Sequence, residues 1–260
     1  MSSSSLISAR DLTIRHGNGT VAVNSFSLDI AEQEFVGIVG PSGCGKTTFL
    51  DAIAGFVPVA EGELLFRGRT ISGPNVREVG YLFQKDSLMP WRTALGNVCV
   101  ALELRGVAKS ERHDRAEAVL RRVGLAKALD HYPDQLSGGM RRRVQLAVLL
   151  AYDPEVILMD EPFGALDAQT RAIIEDDFLR LWWESRKTVL FVTHDLEEAI
   201  CLCDRVVIVS AAPGRVKQVL APGLPRPRTV EDAKFHPDFI PALRSLSSAL
   251  KSEVGRTLDA

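Results

Sequence analysis

The stretch Gly40-Pro41-Ser42-Gly43-Cys44-Gly45-Lys46-Thr47 constrains the fold more than any other part of this chain. It satisfies the spacing GxxxxGK[ST], and its flanks give that spacing meaning. Glu34 to Val39 before it is a short apolar run, and Thr47 to Phe56 after it carries helical spacing. Strand, glycine-rich loop and helix in this order gather backbone N–H groups around phosphate oxygens, with the positive end of the helix behind them. Gly40, Pro41, Ser42, Gly43, Cys44, Gly45, Lys46, Thr47 and Thr48 are therefore candidate nucleotide ligands. Lys46 is placed to neutralise β- and γ-phosphates, and Thr47 offers a hydroxyl to Mg²⁺. The expected ligands are ATP and Mg²⁺.

Before this loop, Leu6 to Arg15 and Val21 to Ile30 alternate apolar with polar residues around the turn Gly17-Asn18-Gly19, as half-buried antiparallel strands do. Gly62 to Arg67 and Val79 to Phe83 read as further strands. Thr93 to Asp134 changes character, rich in Ala, Leu, Glu and Arg at helical spacing, and reads as a helical insertion within one sheet. Val156 to Met159 and Thr188 to Val192 are β-branched runs suited to buried parallel strands, with a helix from about Ala168 to Arg186 between them. Arg205 to Ser210 and Arg215 to Leu220 close the strand set. After the proline-rich stretch Pro222 to Pro227, Phe235 to Val254 reads as a closing helix or two.

Two acids end the strand Val156 to Met159. Neighbouring strand residues point to opposite sides, so Asp160 and Glu161 take different tasks: Asp160 the magnesium shell, Glu161 the water that attacks the γ-phosphate. Leu136-Ser137-Gly138-Gly139-Met140 opens another helix with a cap hydroxyl and free N–H groups, a second anion site. One chain already has a phosphate site at Gly40 to Thr47. A second reader of phosphate makes most sense facing the nucleotide of another copy.

Together with Thr193-His194-Asp195, these motifs resemble the nucleotide-binding subunits of ATP-binding cassette (ABC) transporters over roughly Ile7 to Val219. The resemblance implies an α/β P-loop NTPase fold with a RecA-like core sheet, an N-terminal antiparallel β-subdomain and an inserted α-helical subdomain. It implies a nucleotide-binding domain over 5–230, the insertion at about 93–152, and a C-terminal helical tail at 231–260. It gives Gln84 the role of sensing magnesium and linking the ATP site to a membrane partner. It gives His194 a contact with the γ-phosphate, and Ala165-Leu166-Asp167 a contact with the site of the twin subunit. His16 stands where the family usually stacks an aromatic residue on adenine. Arg141-Arg142-Arg143 departs from the family, which favours glutamine in the middle, and Val148 replaces a usual arginine. The expectation is that Val148 loses an internal ion pair and that the arginines form a solvated face. Cys44, beside Lys46 and a helix start, is expected to be unusually reactive.

Leu88-Met89-Pro90-Trp91-Arg92-Thr93 and the segments Ala212-Pro213-Gly214-Arg215 and Pro225-Arg226-Pro227-Arg228 resemble the nitrate, sulfonate and taurine importer group. That implies a second copy of the chain, a transmembrane permease touching Leu88 to Trp91, and indirectly a periplasmic solute-binding protein. Alternatives are a subunit of another ABC importer or exporter, or a soluble ABC ATPase acting on nucleic acid or ribosomes. A formal net charge of −2 gives no general reason to bind nucleic acid. No apolar run approaches the ~20 residues of a membrane span, and Met1 to Arg10 lacks the form of a secretory leader. The expected location is the cytoplasmic face of the cell membrane, as a peripheral subunit. Of the four cysteines, Cys201 and Cys203 lack a second ligand pair at zinc-like spacing and are expected to be buried and metal-free. His113, His131 and His236 are expected at the surface.

Overall fold

In the computed structural model, which describes residues 5–258, two sheets share a core and a helical layer caps one edge. Residues 1–4 of the serine-rich start and residues 259–260 of the tail lie outside the described residues. Strands β1 (Ile7–Arg15) and β2 (Val21–Ile30) pair antiparallel, with Ile7 opposite Ile30, and β4 (Glu61–Phe66) and β5 (Arg69–Thr70) extend that sheet. The second sheet has the order β10-β9-β3-β8-β7-β6, built from β3 (Phe35–Val39), β6 (Val79–Leu82), β7 (Val156–Asp160), β8 (Thr188–Val192), β9 (Arg205–Val209) and β10 (Val216–Leu220). All its pairings are parallel except that of β10 with β9.

Every residue of β3 and β8 is buried, as expected of strands covered on both faces. Val36 and Ile38 face the antiparallel sheet and helix α1 (Lys46–Ile53). Phe35 and Val39 face the other way, toward α5 (Ala168–Ser185), α6 (Leu196–Leu202) and α8 (Phe239–Leu258). There Phe35 meets Phe178, Phe191 and Trp182 edge-on, with ring centroids 5.4–6.0 Å apart. Such pairs add to simple area burial. Helices α2 (Ala94–Leu104), α3 (Lys109–Arg122) and α4 (Gly138–Tyr152) enter between β6 and β7 and hold a small core of their own.

Two helix boundaries differ from the sequence expectation for a visible reason. The first helix stops at Ile53 rather than Phe56, because Gly55 turns left-handed and packs its Cα against the Gly73 carbonyl. The closing helices begin earlier than Phe235. Thr229 and Asp232 cap one another reciprocally and start α7 (Val230–Phe235), and His236-Pro237 separates it from α8. Among the described residues no helix is long and apolar enough to cross a membrane.

Candidate functional site

The parallel sheet decides where the chemistry-bearing residues meet. The Gly40 loop follows β3, Gln84 follows β6, Glu161 follows β7 and His194 follows β8, so all four segments leave the same edge of one sheet. Ligands in open α/β sheets bind at that carboxyl edge.

The loop from Gly40 to Thr47 is built for close backbone approach. Gly45 has φ +91°, and a Cβ there would lie 2.6 Å from the Ala22 carbonyl oxygen. Only glycine combines that conformation with that contact. The loop is thereby seated on β2, just beyond the hairpin that carries the exposed His16. Lys46 is buried, and its Nζ donates to the carbonyls of Gly40 and Pro41, each at 2.9 Å. Ser42, Gly43 and Thr47 are exposed, while Thr48 is buried at the start of α1.

Cys44 corrects the sequence reading. Its thiol is fully buried, 2.9 Å from where a Cβ on Gly40 would stand. Burial pushes its pKa up and outweighs the opposing pull of Lys46. The thiol is an inert packing group rather than a reactive nucleophile.

Asp160 and Glu161 engage different partners. The Thr47 hydroxyl donates to Asp160 Oδ2 at 2.9 Å. Burial raises the Asp160 pKa, with the Thr47 hydrogen bond working against it. Glu161 has φ +43°, a left-handed conformation uncommon for a side-chain-bearing residue and typical of sites where the chain is bent for a purpose. Its Oε2 accepts from Gln84 Nε2 at 3.1 Å, and His194 Nδ1 lies 3.3 Å from the same oxygen. The structure thus gathers Gln84, Glu161 and His194 on one carboxylate, next to the Thr47–Asp160 pair. The Thr47 hydroxyl and the Asp160 carboxylate are hard oxygen donors of the kind that suit Mg²⁺.

Ser137 and Gly138 lie apart from this cluster, exposed at the start of α4. Ser137 Oγ accepts from the Met140 N–H at 3.2 Å as the helix cap. Gly139 is buried where a Cβ would stand 2.6 Å from Thr170, so glycine brings α4 against α5. Asp167 is exposed and caps α5 through Thr170.

The arginine run is a second correction. Arg142 is 6% exposed, and its guanidinium donates to the carbonyls of Phe83 (3.0 Å) and Gln84 (3.2 Å) and to Gln145 Oε1 (2.7 Å). Arg141 pairs with Asp86, and Arg143 with Asp177. The run is a set of tethers, not a solvated face. Val148 lines an apolar groove of about 340 Å³ with Phe56, Tyr81, Leu88, Met89 and Leu104. Trp91 is exposed and does not line the groove. His113 and His131 are exposed and His236 is half-buried, while Cys201 and Cys203 are buried.

Sequence reading missed a third group. Arg171 donates to the Leu166 carbonyl (3.1 Å) and lies 3.4 Å from Asp195 and 3.5 Å from Glu198. Glu198 in turn accepts from Thr193 Oγ1 at 2.6 Å, which places a buried carboxylate behind His194. The only signal in the sequence is charged residues on otherwise apolar helical faces.

Comparison with known proteins agrees with this geometry. The sequence profile of the ABC transporter family matches residues 23–164. An uncharacterized ABC transporter ATP-binding protein of Methanocaldococcus jannaschii is 46% identical over 243 residues, 94% of this chain and 89% of its own. The taurine import ATP-binding protein TauB of Escherichia coli K12 is 45% identical over 202 residues, 78% of this chain and 79% of its own. The dimeric ATP-binding cassette MJ0796, solved in a post-hydrolysis state with ADP and Pi, superimposes with a TM-score of 0.73 at 32% identity, covering 83% of this chain and 98% of that one. This chain belongs to the ABC transporter family as one of its ATP-hydrolysing ATP-binding cassettes.

Proposed function

We propose that this chain is the ATPase subunit of an importer. Two copies sandwich two ATP molecules and drive uptake through a separate membrane permease. The observation that carries the reading is the shared carboxylate: Gln84 and His194 both reach Glu161 Oε2, beside the Thr47–Asp160 pair. Each residue then has a task. Lys46 and the Gly40–Thr48 loop hold the phosphates, and His16 stacks on the adenine. Glu161 accepts the proton of the attacking water, with Gln84 and His194 orienting its carboxylate. Thr47, Asp160 and Gln84 would hold Mg²⁺, which neutralises charge on the β- and γ-phosphates.

The exposed Ser137 and Gly138, with Gly139 behind them, read the γ-phosphate bound by the other copy. Asp167 approaches the same shared interface. The dimeric state of MJ0796 supports this arrangement. The groove lined by Leu88, Met89 and Val148 suits a short amphipathic helix from the permease. Likeness to the taurine import protein TauB supports solutes of the taurine, sulfonate and nitrate type, delivered by a periplasmic binding protein. The chain itself then works at the cytoplasmic face of the membrane.

The test is steady-state Mg-ATP hydrolysis against protein concentration, for the native chain and for Glu161→Gln. A rate rising faster than linearly, with a loss of about 100-fold or more in the variant, is expected. The variant should also accumulate as an ATP-bound dimer. A linear rate that Glu161→Gln leaves untouched would sink the shared-site mechanism.

A further inference from the structure

Arg142 is an unusual use of charge. At 6% exposure it forms no ion pair with a carboxylate among the described residues. Asp86, whose charge acts on it, is engaged instead by Arg141 (3.0 Å) and by Gln145 Nε2 (2.9 Å). Burial lowers the Arg142 pKa to about 10. Desolvating a guanidinium to satisfy neutral carbonyls is a poor way to gain stability, since an apolar side chain of similar volume is often no worse. What the arrangement does provide is geometry. A planar fork reaching two successive carbonyls fixes the position and direction of the segment that carries them.

That segment is Phe83-Gln84. The Gln84 backbone carbonyl is held by Arg142 while its side chain reaches Glu161. Arg142 sits in the second turn of α4, whose first residues follow the Ser137 cap. The attachment is reinforced nearby. Gln145 and Arg141, on the same helix, both hold Asp86, and Asp86 accepts from the Leu88 N–H at 3.0 Å. The whole stretch from Phe83 to Leu88 is thus pinned to one helix by its side chains. A displacement of α4 carries Gln84 with it.

We propose that Arg142 is a positioning residue that fastens the Gln84 segment to the helix started by Ser137. A nucleotide engaged at that helix start is then felt at Gln84 of the same chain, and the two ATP sites of a dimer act together. This rests on the two-copy arrangement above. Ser137 of one chain serves the nucleotide of the other, while Gln84 serves its own. Arg142 is a direct side-chain connection between those two duties.

The experiment measures ATP hydrolysis by the full chain against Mg-ATP concentration. A parallel titration with trinitrophenyl-ATP at low protein concentration gives the affinity of the first site. The native chain should be cooperative. Arg142→Met should bind the first nucleotide within about twofold of native, bind the second about tenfold more weakly than native, in the usual range for coupling between sites, and lose cooperativity toward a Hill coefficient of one. Arg142→Lys, which offers a point charge in place of a fork, should recover part of the cooperativity. Arg142→Gln, which keeps a donor for one carbonyl, guards against a folding defect in the Met variant. A merely structural role would lower activity in proportion to folded protein and leave the Hill coefficient alone. Variants that keep native cooperativity overturn the proposal. A native chain that is itself non-cooperative, with a rate linear in protein, overturns the shared-site reading and this proposal with it.

Discussion

Glu161 stands between two loops, and each is tied down by an arginine in a different electrostatic setting. On one side Arg142 holds the Gln84 segment through two carbonyls, with Gln145 of its own helix as a third partner. On the other, Arg171 links the Leu166 carbonyl to Asp195 and Glu198, just after His194. Glu175 lies behind Glu198, 3% exposed. The first tether is made of neutral partners and one buried cation. The second is a cation among carboxylates, two of them buried, where Arg171 Nε and Glu175 Oε1 have no hydrogen-bond partner among the described residues. Similar mechanical jobs are therefore done by networks that should answer differently to mutation and to pH.

The largest contrast is in stability. Arg171→Ala would leave Glu198 buried without its cation, and removing one partner of a buried ion pair is strongly destabilising. We expect a loss of about 3 kcal/mol, at the low end because Arg171 is partly exposed. Arg142→Met removes a buried cation that has no carboxylate partner, so its stability should stay within about 1 kcal/mol of native. Urea unfolding of both variants at neutral pH decides the matter. Equal losses would mean that the two tethers are energetically alike, and the comparison would fail.

A smaller effect separates them by pH. Burial first, then the neighbouring Glu198 carboxylate, raises the Glu175 pKa, and burial raises that of Glu198 as well. The folded chain therefore keeps a proton that the unfolded chain releases near the ordinary value of 4.5. Where the folded state binds more protons, stability falls with rising pH. This contribution is fully present below the ordinary carboxylate range and is lost as pH climbs through the raised folded values. Glu175→Gln should flatten that slope, with little change at pH 5 and a gain of about 1 kcal/mol at pH 8. Arg142→Gln should leave the slope unchanged. Melting temperatures across that range test both, and a native slope in the Glu175→Gln variant would mean that Glu175 holds no extra proton in the folded chain.

How much of this was legible in the sequence follows from how local each constraint is. The phosphate loop is a continuous segment whose glycines answer to backbone geometry, so Gly40 to Thr47 could be read directly. Asp160 and Glu161 are legible as two acids ending an apolar strand, but Glu161 lies past β7 in a left-handed turn, so strand alternation does not set where its side chain goes. Gln84 and His194 were read by resemblance alone. Nothing in their spacing says that they converge on one oxygen, because that depends on the order of β6, β7 and β8 in the sheet. Arg142 was misread for a similar reason. A run of three arginines looks solvated until the fold brings the end of β6 against one face of α4. The start of α7 is written in Thr229 and Asp232, a weaker signal than the apolar spacing downstream.

The smallest expected effect concerns Cys44, where the same contest between burial and a neighbouring charge is played out inside the phosphate loop. Lys46 Nζ lies 3.8 Å from Cys44 Sγ, close enough to favour a thiolate. Yet burial prevails and raises the thiol pKa, as burial also prevails over attraction at Arg142 and shifts that group toward its neutral form. If desolvation rules in both places, maleimide at neutral pH should spare Cys44 and modify the half-exposed Cys99 first, as peptide mass spectrometry would show. Cys44→Ala should change the rate of inactivation by less than about twofold, because a thiol that is neither ionised nor accessible does not compete for reagent. Rapid labelling of Cys44, blocked by ATP, would mean that the loop opens often enough to expose it. Charge at Lys46 would then outweigh burial there, and the burial-first reading of Arg142 would have to be tested again from the same side.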